Sequence, residues 1–226
     1  MTIATVLHAR KLCKTYPGGD TRHAVIDALD LDVAAGEIVA VIGRSGSGKS
    51  TLLNLAGQMD TPDAGCIRCD GIDTATWDDE RRTRFRRRQV GFVFQAYNLL
   101  PTLTVRENIA LPLELNGLPF APRLDTIIDA LDLGTLAARY PDQISGGEQQ
   151  RAAIARALVH APPLVIADEP TGNLDQETAC EVIALFEHAV REAGAALLMA
   201  THSLEMVGHA DRVLRLRHGR LVAANE

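Results

Sequence analysis

The sequence has no apolar run approaching the roughly 20 residues that a membrane-crossing helix needs. It has no excess of positive charge either. Its 23 lysines and arginines stand against 29 acidic residues, and the net charge of −6 argues against a general nucleic-acid binder. The opening Met1-Thr2-Ile3-Ala4-Thr5-Val6 lacks the basic and long apolar regions of a signal peptide. The expectation is a soluble chain in the cytoplasm. Cysteine is sparse, with four in the chain, and Cys66-x-x-Cys69 is the one close pair. That pair falls in an apparent strand, where residues three apart point to opposite faces, which suits neither a disulfide nor a shared metal. Cys13 and Cys180 are isolated in sequence, so zinc finds no second pair of ligands. There is no internal repeat and no low-complexity linker. With 226 residues, 46% of them hydrophobic, one compact domain with a sizeable core is expected, with room for a subdomain.

What is present is concentrated in one stretch. Gly43-Arg44-Ser45-Gly46-Ser47-Gly48-Lys49-Ser50 fits the phosphate-loop pattern G-x-x-x-x-G-K-[ST] at every fixed position. The apolar Ile38-Val39-Ala40-Val41-Ile42 before it reads as a buried strand, and Ser50-Thr51-Leu52-Leu53-Asn54-Leu55-Ala56 reads as a helix. Glycines let the backbone turn so that N–H groups face phosphate oxygens, and the helix N-terminus adds its partial positive charge. Lys49 can then reach the β- and γ-phosphates, and the Ser50 hydroxyl can ligate magnesium. A bland glycine-rich turn does not explain Lys-Ser directly after it between a strand and a helix. The pattern implies nucleotide binding.

Upstream, Leu29, Leu31 and Val33 alternate with Asp30 and Asp32, the signature of a half-buried strand. Lys14-Thr15-Tyr16-Pro17-Gly18-Gly19 reads as a turn carrying one aromatic, and Pro62-Asp63-Ala64-Gly65 as another turn. The run Arg81-Arg82-Thr83-Arg84-Phe85-Arg86-Arg87-Arg88 reads as a solvated helix face, near acidic headgroups or a partner. Residues 96–150 change character: Pro101, Pro112, Pro119, Pro122 and Pro141 punctuate short helical segments such as 124–133. This predicts a helical subdomain inserted into an α/β core. A further helix is expected over 177–192, and a terminal hairpin over 213–222, turned by His218-Gly219.

Four polar groups each follow an apolar run. Gly43 follows 39–42, Gln95 follows 90–94, Asp168-Glu169 follows 164–167, and His202 follows 197–201. Open parallel sheets bind ligands outside the carboxyl ends of their strands, so these side chains are expected to converge on the nucleotide. Asp168 suits a magnesium-associated carboxylate, and Glu169 a group that orients, or takes a proton from, the attacking water. A neutral His202 could hydrogen-bond the γ-phosphate or water, and Gln95 could contact magnesium or water.

The segment Ile144-Ser145-Gly146-Gly147-Glu148-Gln149-Gln150-Arg151 resembles the L-S-G-G-Q signature of ATP-binding-cassette ATPases. The resemblance spans essentially the whole chain. It implies a P-loop NTPase (RecA-like) α/β core with an antiparallel β subdomain over 1–95 and 156–226, and a helical subdomain over 96–155. It assigns Tyr16 to stacking on adenine, and Gly43 to Thr51 to the phosphates. Gln95 matches the loop glutamine, and Ser145, Gly146 and Gly147 the signature. Asp168 and Glu169 match the magnesium carboxylate and catalytic glutamate, Asp175 the aspartate loop, and His202 the switch histidine. Val90-Gly91-Phe92-Val93-Phe94-Gln95, Asn98-Leu99-Leu100-Pro101 and the segment Asp168-Glu169-Pro170-Thr171-Gly172-Asn173-Leu174-Asp175 look like the lipoprotein-releasing and macrolide-efflux subgroup, with the cell-division cassette also similar. Ile144 and Glu148 depart from the usual leucine and glutamine, and Ser203 stands where the subgroup usually has aspartate.

In this family the signature meets the nucleotide of the opposite subunit. The resemblance therefore implies a head-to-tail dimer of two copies around two ATP molecules with Mg2+. It also implies integral membrane permease subunits as partners, and a peripheral position on the cytoplasmic face of the plasma membrane. The expected activity is ATP hydrolysis powering a separately encoded permease of the lipoprotein-release or efflux type. Transmembrane signalling in cell division or cell-wall control is the alternative. A soluble cassette of DNA repair or translation is disfavoured, because neither a long coiled-coil insertion nor a second cassette is present. No nucleic-acid partner is expected.

Overall fold

The computed structural model describes residues 4–18, 21–120 and 122–223. Strands β1 (Thr5–Gly18) and β2 (Thr21–Ala34) form a long antiparallel hairpin, in which Tyr16 faces His23 and Lys14 faces Ile26. The turn expected from Lys14 onward is therefore displaced: 14–18 continue β1, and Gly19 lies outside the described residues. Thr15 and Tyr16 suit a pleated strand, and this outweighs the Pro-Gly that follows them. Lys11 and Ala28 sit at φ 48° and 45° where the register shifts, marking bulges that bend the hairpin. Strands β4 (Ala64–Cys69) and β5 (Ile72–Asp73) complete a sheet of order β2-β1-β4-β5. Gly65, expected in a turn, falls inside β4 at φ 88°, where an added Cβ would lie 2.4 Å from the Lys11 carbonyl oxygen. Cys66 is half-buried and Cys69 is buried, with its thiol pushed up to about 12 by burial; both are free.

The second sheet has the order β10-β9-β3-β8-β7-β6. Strands β3 (Ile38–Ile42), β6 (Val90–Phe94), β7 (Leu164–Asp168), β8 (Ala196–Ala200) and β9 (Arg212–Arg217) are parallel; β10 (Arg220–Ala223) returns antiparallel. Their runs are continuously apolar because both faces are covered. Ile38, Ala40, Val165, Ala167, Leu197 and Met199 join one core with the helices; Val39, Val41, Leu164, Ile166, Leu198 and Ala200 join the other with β1 and β2. The period of two sorts each strand between them.

Helix α1 (Lys49–Ala56) follows β3, and α2 (Asp79–Gln89) precedes β6. The arginine run lies on α2 and is mostly exposed, except Arg82. That guanidinium is buried and bonds Gln58 Oε1 at 3.0 Å and the Trp77 carbonyl at 3.2 Å. Between β6 and β7 stand α3 (Val105–Asn116), α4 (Arg123–Ala130) and α5 (Gly146–Leu158). Pro112, expected to punctuate, lies inside α3. A Thr104–Glu107 capping box and the buried Val105, Ile109 and Leu113 hold this helix across the proline. Helix α4 stops short of the expected Leu133, and the position expected to separate helical subdomain from core, 155/156, falls within α5. Helices α6 (Gln176–Glu192) and α7 (Leu204–Gly208) flank β8.

Candidate functional site

The loop after β3 is shaped by its glycines. Gly46 and Gly48 lie at φ 75° and 102°, and a Cβ on Gly48 would approach Val25 Cγ1 to 2.8 Å. Ser47 N–H donates to the Arg44 carbonyl at 3.1 Å, closing the turn. Helix geometry then leaves the first N–H groups of α1 without carbonyl partners, directed at the mouth of the loop.

One cleft of about 670 Å³ gathers the ends of β3, β6, β7 and β8. Ser45, Gly46, Gly48, Lys49, Ser50, Thr51, Gln95, Asp168, Glu169 and His202 line it. The convergence expected from the strand ends is present. Lys49 is 8% exposed, and its Nζ donates to the Gly43 carbonyl at 2.9 Å. The same ammonium lies 2.9 Å from His202 Nε2 and 3.8 Å from Glu169 Oε1. An ammonium only donates, so toward Lys49 His202 Nε2 is the acceptor, and it cannot at the same time donate to Glu169. Glu169 Oε1 stands 3.1 Å from the same Nε2, while Oε2 accepts from the His202 backbone N–H at 3.2 Å. Glu169 adopts φ 48°, a conformation rare for a residue with a side chain, where the chain leaves β7.

Gln95 leaves β6 and pairs with Asn173: Nε2 donates to Asn173 Oδ1 at 2.9 Å, and Asn173 Nδ2 donates to the Gln95 carbonyl at 2.9 Å. Val25 and Gly172 also line the cleft; in the sequence Gly172 and Asn173 stand out only as markers of a subgroup, and Val25 carries no motif. The reciprocal amides 78 residues apart leave no short-range signal.

Several expected residues lie elsewhere. Arg44 turns to an adjoining cleft with Gly43, Ser47, Arg215 and Arg217. Tyr16 does not line the cleft; its hydroxyl donates to Asp60 Oδ2 at 2.7 Å and also meets the side chain of Thr51, which does line it. Ser145, Gly146, Gly147 and Asp175 are also outside it. Ser145 caps α5 reciprocally with Glu148, whose carboxyl is held below the usual range by the Ser145 backbone N–H. Asp175 caps α6 and is likewise held low by the Thr178 N–H. A Cβ on Gly147 would lie 2.4 Å from Thr178 Cγ2, so this glycine brings the two capped helix starts together. Ser203 caps α7 by accepting from Met206 N–H at 3.2 Å.

The donor set fits a magnesium nucleotide. A loop of free N–H groups and a buried ammonium suit phosphate oxygens. One hydroxyl, one amide and a carboxylate suit a cation that keeps phosphate oxygens and water as its remaining ligands. Among the described residues no cluster of three His, Cys, Asp or Glu forms a cage for a metal by itself.

A phosphate-loop strand–loop–helix at the carboxyl edge of a parallel sheet defines a nucleoside-triphosphatase core. A profile described as ABC transporter matches residues 26–172. The chain is 47% identical over 222 residues to an uncharacterized ABC transporter ATP-binding protein of Mycobacterium tuberculosis, covering 97% of this chain and 90% of that one. It is 46% identical over 219 residues to the lipoprotein-releasing system ATP-binding protein LolD of Maricaulis maris, covering 96% of each. To the macrolide export ATP-binding/permease protein MacB of Brucella melitensis it is 40% identical over 226 residues, covering 99% of this chain and 35% of that protein. The dimeric structure of the ATP-binding cassette MJ0796 in a post-hydrolysis state with ADP and Pi superposes with a TM-score of 0.86 at 36% identity, over 95% and 96% of the two chains. The chain belongs to the ABC transporter family, as its ATP-binding cassette ATPase.

Proposed function

We propose that this chain is the ATP-hydrolysing subunit that powers a separately encoded membrane permease of the lipoprotein-release or efflux type. Among the described residues no helix is long and apolar enough to cross a membrane, so the membrane part is assigned to a partner. That partner places the chain on the cytoplasmic face of the membrane.

The observation that carries the reading is a division of residues. Lys49, Gln95, Asp168, Glu169 and His202 share one cleft, whereas Ser145, Gly146, Gly147 and Asp175 stand outside it on two adjacent helix starts. A second copy, head to tail, supplies the missing half. In this arrangement the loop N–H groups and Lys49 bind the phosphates, and Tyr16 leaves Asp60 to stack on adenine. Ser50, Asp168 and Gln95 hold Mg2+, which screens charge on the phosphate oxygens. Glu169 orients the attacking water and accepts its proton, and His202 keeps Glu169 in place and senses the terminal phosphate. From the other copy, the Ser145 hydroxyl and the N–H of Gly147 cap that phosphate, and Asp175 joins the two sites.

Replacing Glu169 by glutamine preserves shape and removes the base. Glu169→Gln is expected to bind ATP, lose at least 90% of turnover and accumulate as a dimer in ATP, read by light scattering behind a sizing column. Normal steady-state hydrolysis by this variant refutes the assignment.

A further inference from the structure

We propose that Asn173 is a positioning residue that sets the polarity of the Gln95 amide, so that its oxygen rather than its nitrogen is offered to the cleft. One atom of the pair has a role fixed by its chemistry. The Gln95 backbone carbonyl can only accept, so the Asn173 atom 2.9 Å from it must be the NH₂ group. The other Asn173 atom is then the oxygen. Only the NH₂ of Gln95 can satisfy that oxygen, at 2.9 Å. Gln95 Oε1 is left, and among the described residues it has no donor. A glutamine side chain ordinarily flips between two nearly isosteric states; here a backbone carbonyl two bonds down the chain of amides selects one.

The selected state is the useful one. An amide oxygen is a ligand for a hard cation, whereas an amide NH₂ is not. Gly172 leaves the room this requires, because a Cβ there would lie 2.9 Å from Gln95 Nε2 and 3.1 Å from Cδ. Asn173 also ties the end of β6 to the loop that runs on to Asp175 and α6, connecting the cleft with the helix starts proposed to meet a second copy. This inference rests on the proposed function for the identity of the cation.

The test uses the full chain with Asn173→Ala and Asn173→Leu, the second being nearly isosteric but unable to hydrogen-bond, and with Gly172→Ala, which crowds the Gln95 amide nitrogen that bonds Asn173. Affinity for a fluorescent ADP is measured with Mg2+ and with EDTA, alongside ATP turnover. The pair is exposed and its preference is worth a few-fold, so the gain in affinity on adding Mg2+ is expected to fall about fivefold in all three variants. Affinity in EDTA and the KM for ATP should stay within twofold while kcat falls about tenfold. In the nucleotide-free protein, the Gln95 side-chain NH₂ signal should move to a solvent-averaged position in Asn173→Ala. Variants that keep the wild-type Mg2+ gain and kcat overturn the proposal. So do variants that lose affinity equally in EDTA and in Mg2+, since that indicates general damage to the cleft. A wild-type chain with no Mg2+ gain overturns the underlying functional reading instead.

Discussion

His160 sits between α5 and β7, 8% exposed; neither ring nitrogen makes a well-aligned hydrogen bond, and the Val90 carbonyl is the backbone acceptor that approaches the ring. Burial, together with the nearby Arg123 charge, pushes its pKa down to about 4 from 6.5. The folded protein therefore keeps this ring neutral where the unfolded chain begins to protonate it. As pH falls through 6.5 the unfolded state binds the extra proton, and stability is lost progressively until pH 4, below which both states are protonated. The gap corresponds to about 3 kcal/mol in full and about 2 kcal/mol at pH 5, against almost nothing at pH 7. Such a loss is a sizeable share of a typical domain stability of about 5–15 kcal/mol. The variant is His160→Leu, which removes the titration and the poorly satisfied ring nitrogens together. Urea unfolding, followed by fluorescence of the single, buried Trp77, is measured at pH 7 and pH 5 for both proteins. Wild type should lose about 2 kcal/mol more than His160→Leu between the two values, and the variant should match or exceed wild type at pH 7. Carboxylates that titrate lower contribute equally to both proteins and cancel. Equal losses, within about 0.5 kcal/mol, show that the ring finds a partner or a proton in the folded state and refute the reasoning.

Lys49→Ala removes a nearly buried ammonium that also pins the Gly43 carbonyl, and its ATP dissociation constant by calorimetry should rise about 10- to 100-fold, as for loss of a charge-assisted contact; an unchanged constant contradicts the phosphate role. Glu148→Gln keeps the capping geometry with Ser145 but removes a carboxylate held anionic beside the proposed phosphate cap. In a Glu169→Gln background, its ATP-bound dimer should dissociate about fivefold less readily in sedimentation experiments at low salt, with the difference shrinking as salt is raised. Equal dimer constants at all salt concentrations place Glu148 away from the nucleotide of the other copy.

Much of the site was legible because its signals are local. The phosphate loop needs glycines at fixed offsets and a lysine at the next helix start, and all of these lie within eight residues. The apolar strands announced themselves because each is covered on both faces, and topology rather than side-chain detail carried Gln95, Asp168, Glu169 and His202 to one edge. What was illegible depends on partners far away in sequence. Tyr16 gives no sign in sequence that its hydroxyl bonds Asp60, 44 residues away. Pro112 looks like a helix breaker, because a pattern cannot weigh one missing hydrogen bond against Val105, Ile109 and Leu113 buried along the same face. Asn173 reads as a loop residue until β6 and β7 pair and bring Gln95 beside it. His160 carries no pattern at all, since its consequence comes from desolvation that only the packed core imposes.

The two halves of the proposed site are each held together by contacts within one chain, and this bears on how the chain works. The phosphate loop is held from within: Lys49 bonds its first carbonyl, Ser47 closes its turn, and Val25 and Leu216 leave space only for glycine at positions 48 and 43. It is preorganised to bind phosphates in a single copy. The start of α5 packs closely on the start of α6 at Gly147 and Thr178, which couples these two helix ends. The Ser145 hydroxyl accepts a long 3.4 Å contact from Glu148 N–H and also meets the Glu148 carboxylate, so its proton is held within the cap of a single copy. A rigid cradle in one copy and a rigid capping unit in the other make no complete site until a nucleotide lies between them. On the proposed reading, the free energy of closing the pair is then set by the one group that hydrolysis removes, and the terminal phosphate biases a two-state assembly without any large rearrangement inside either chain.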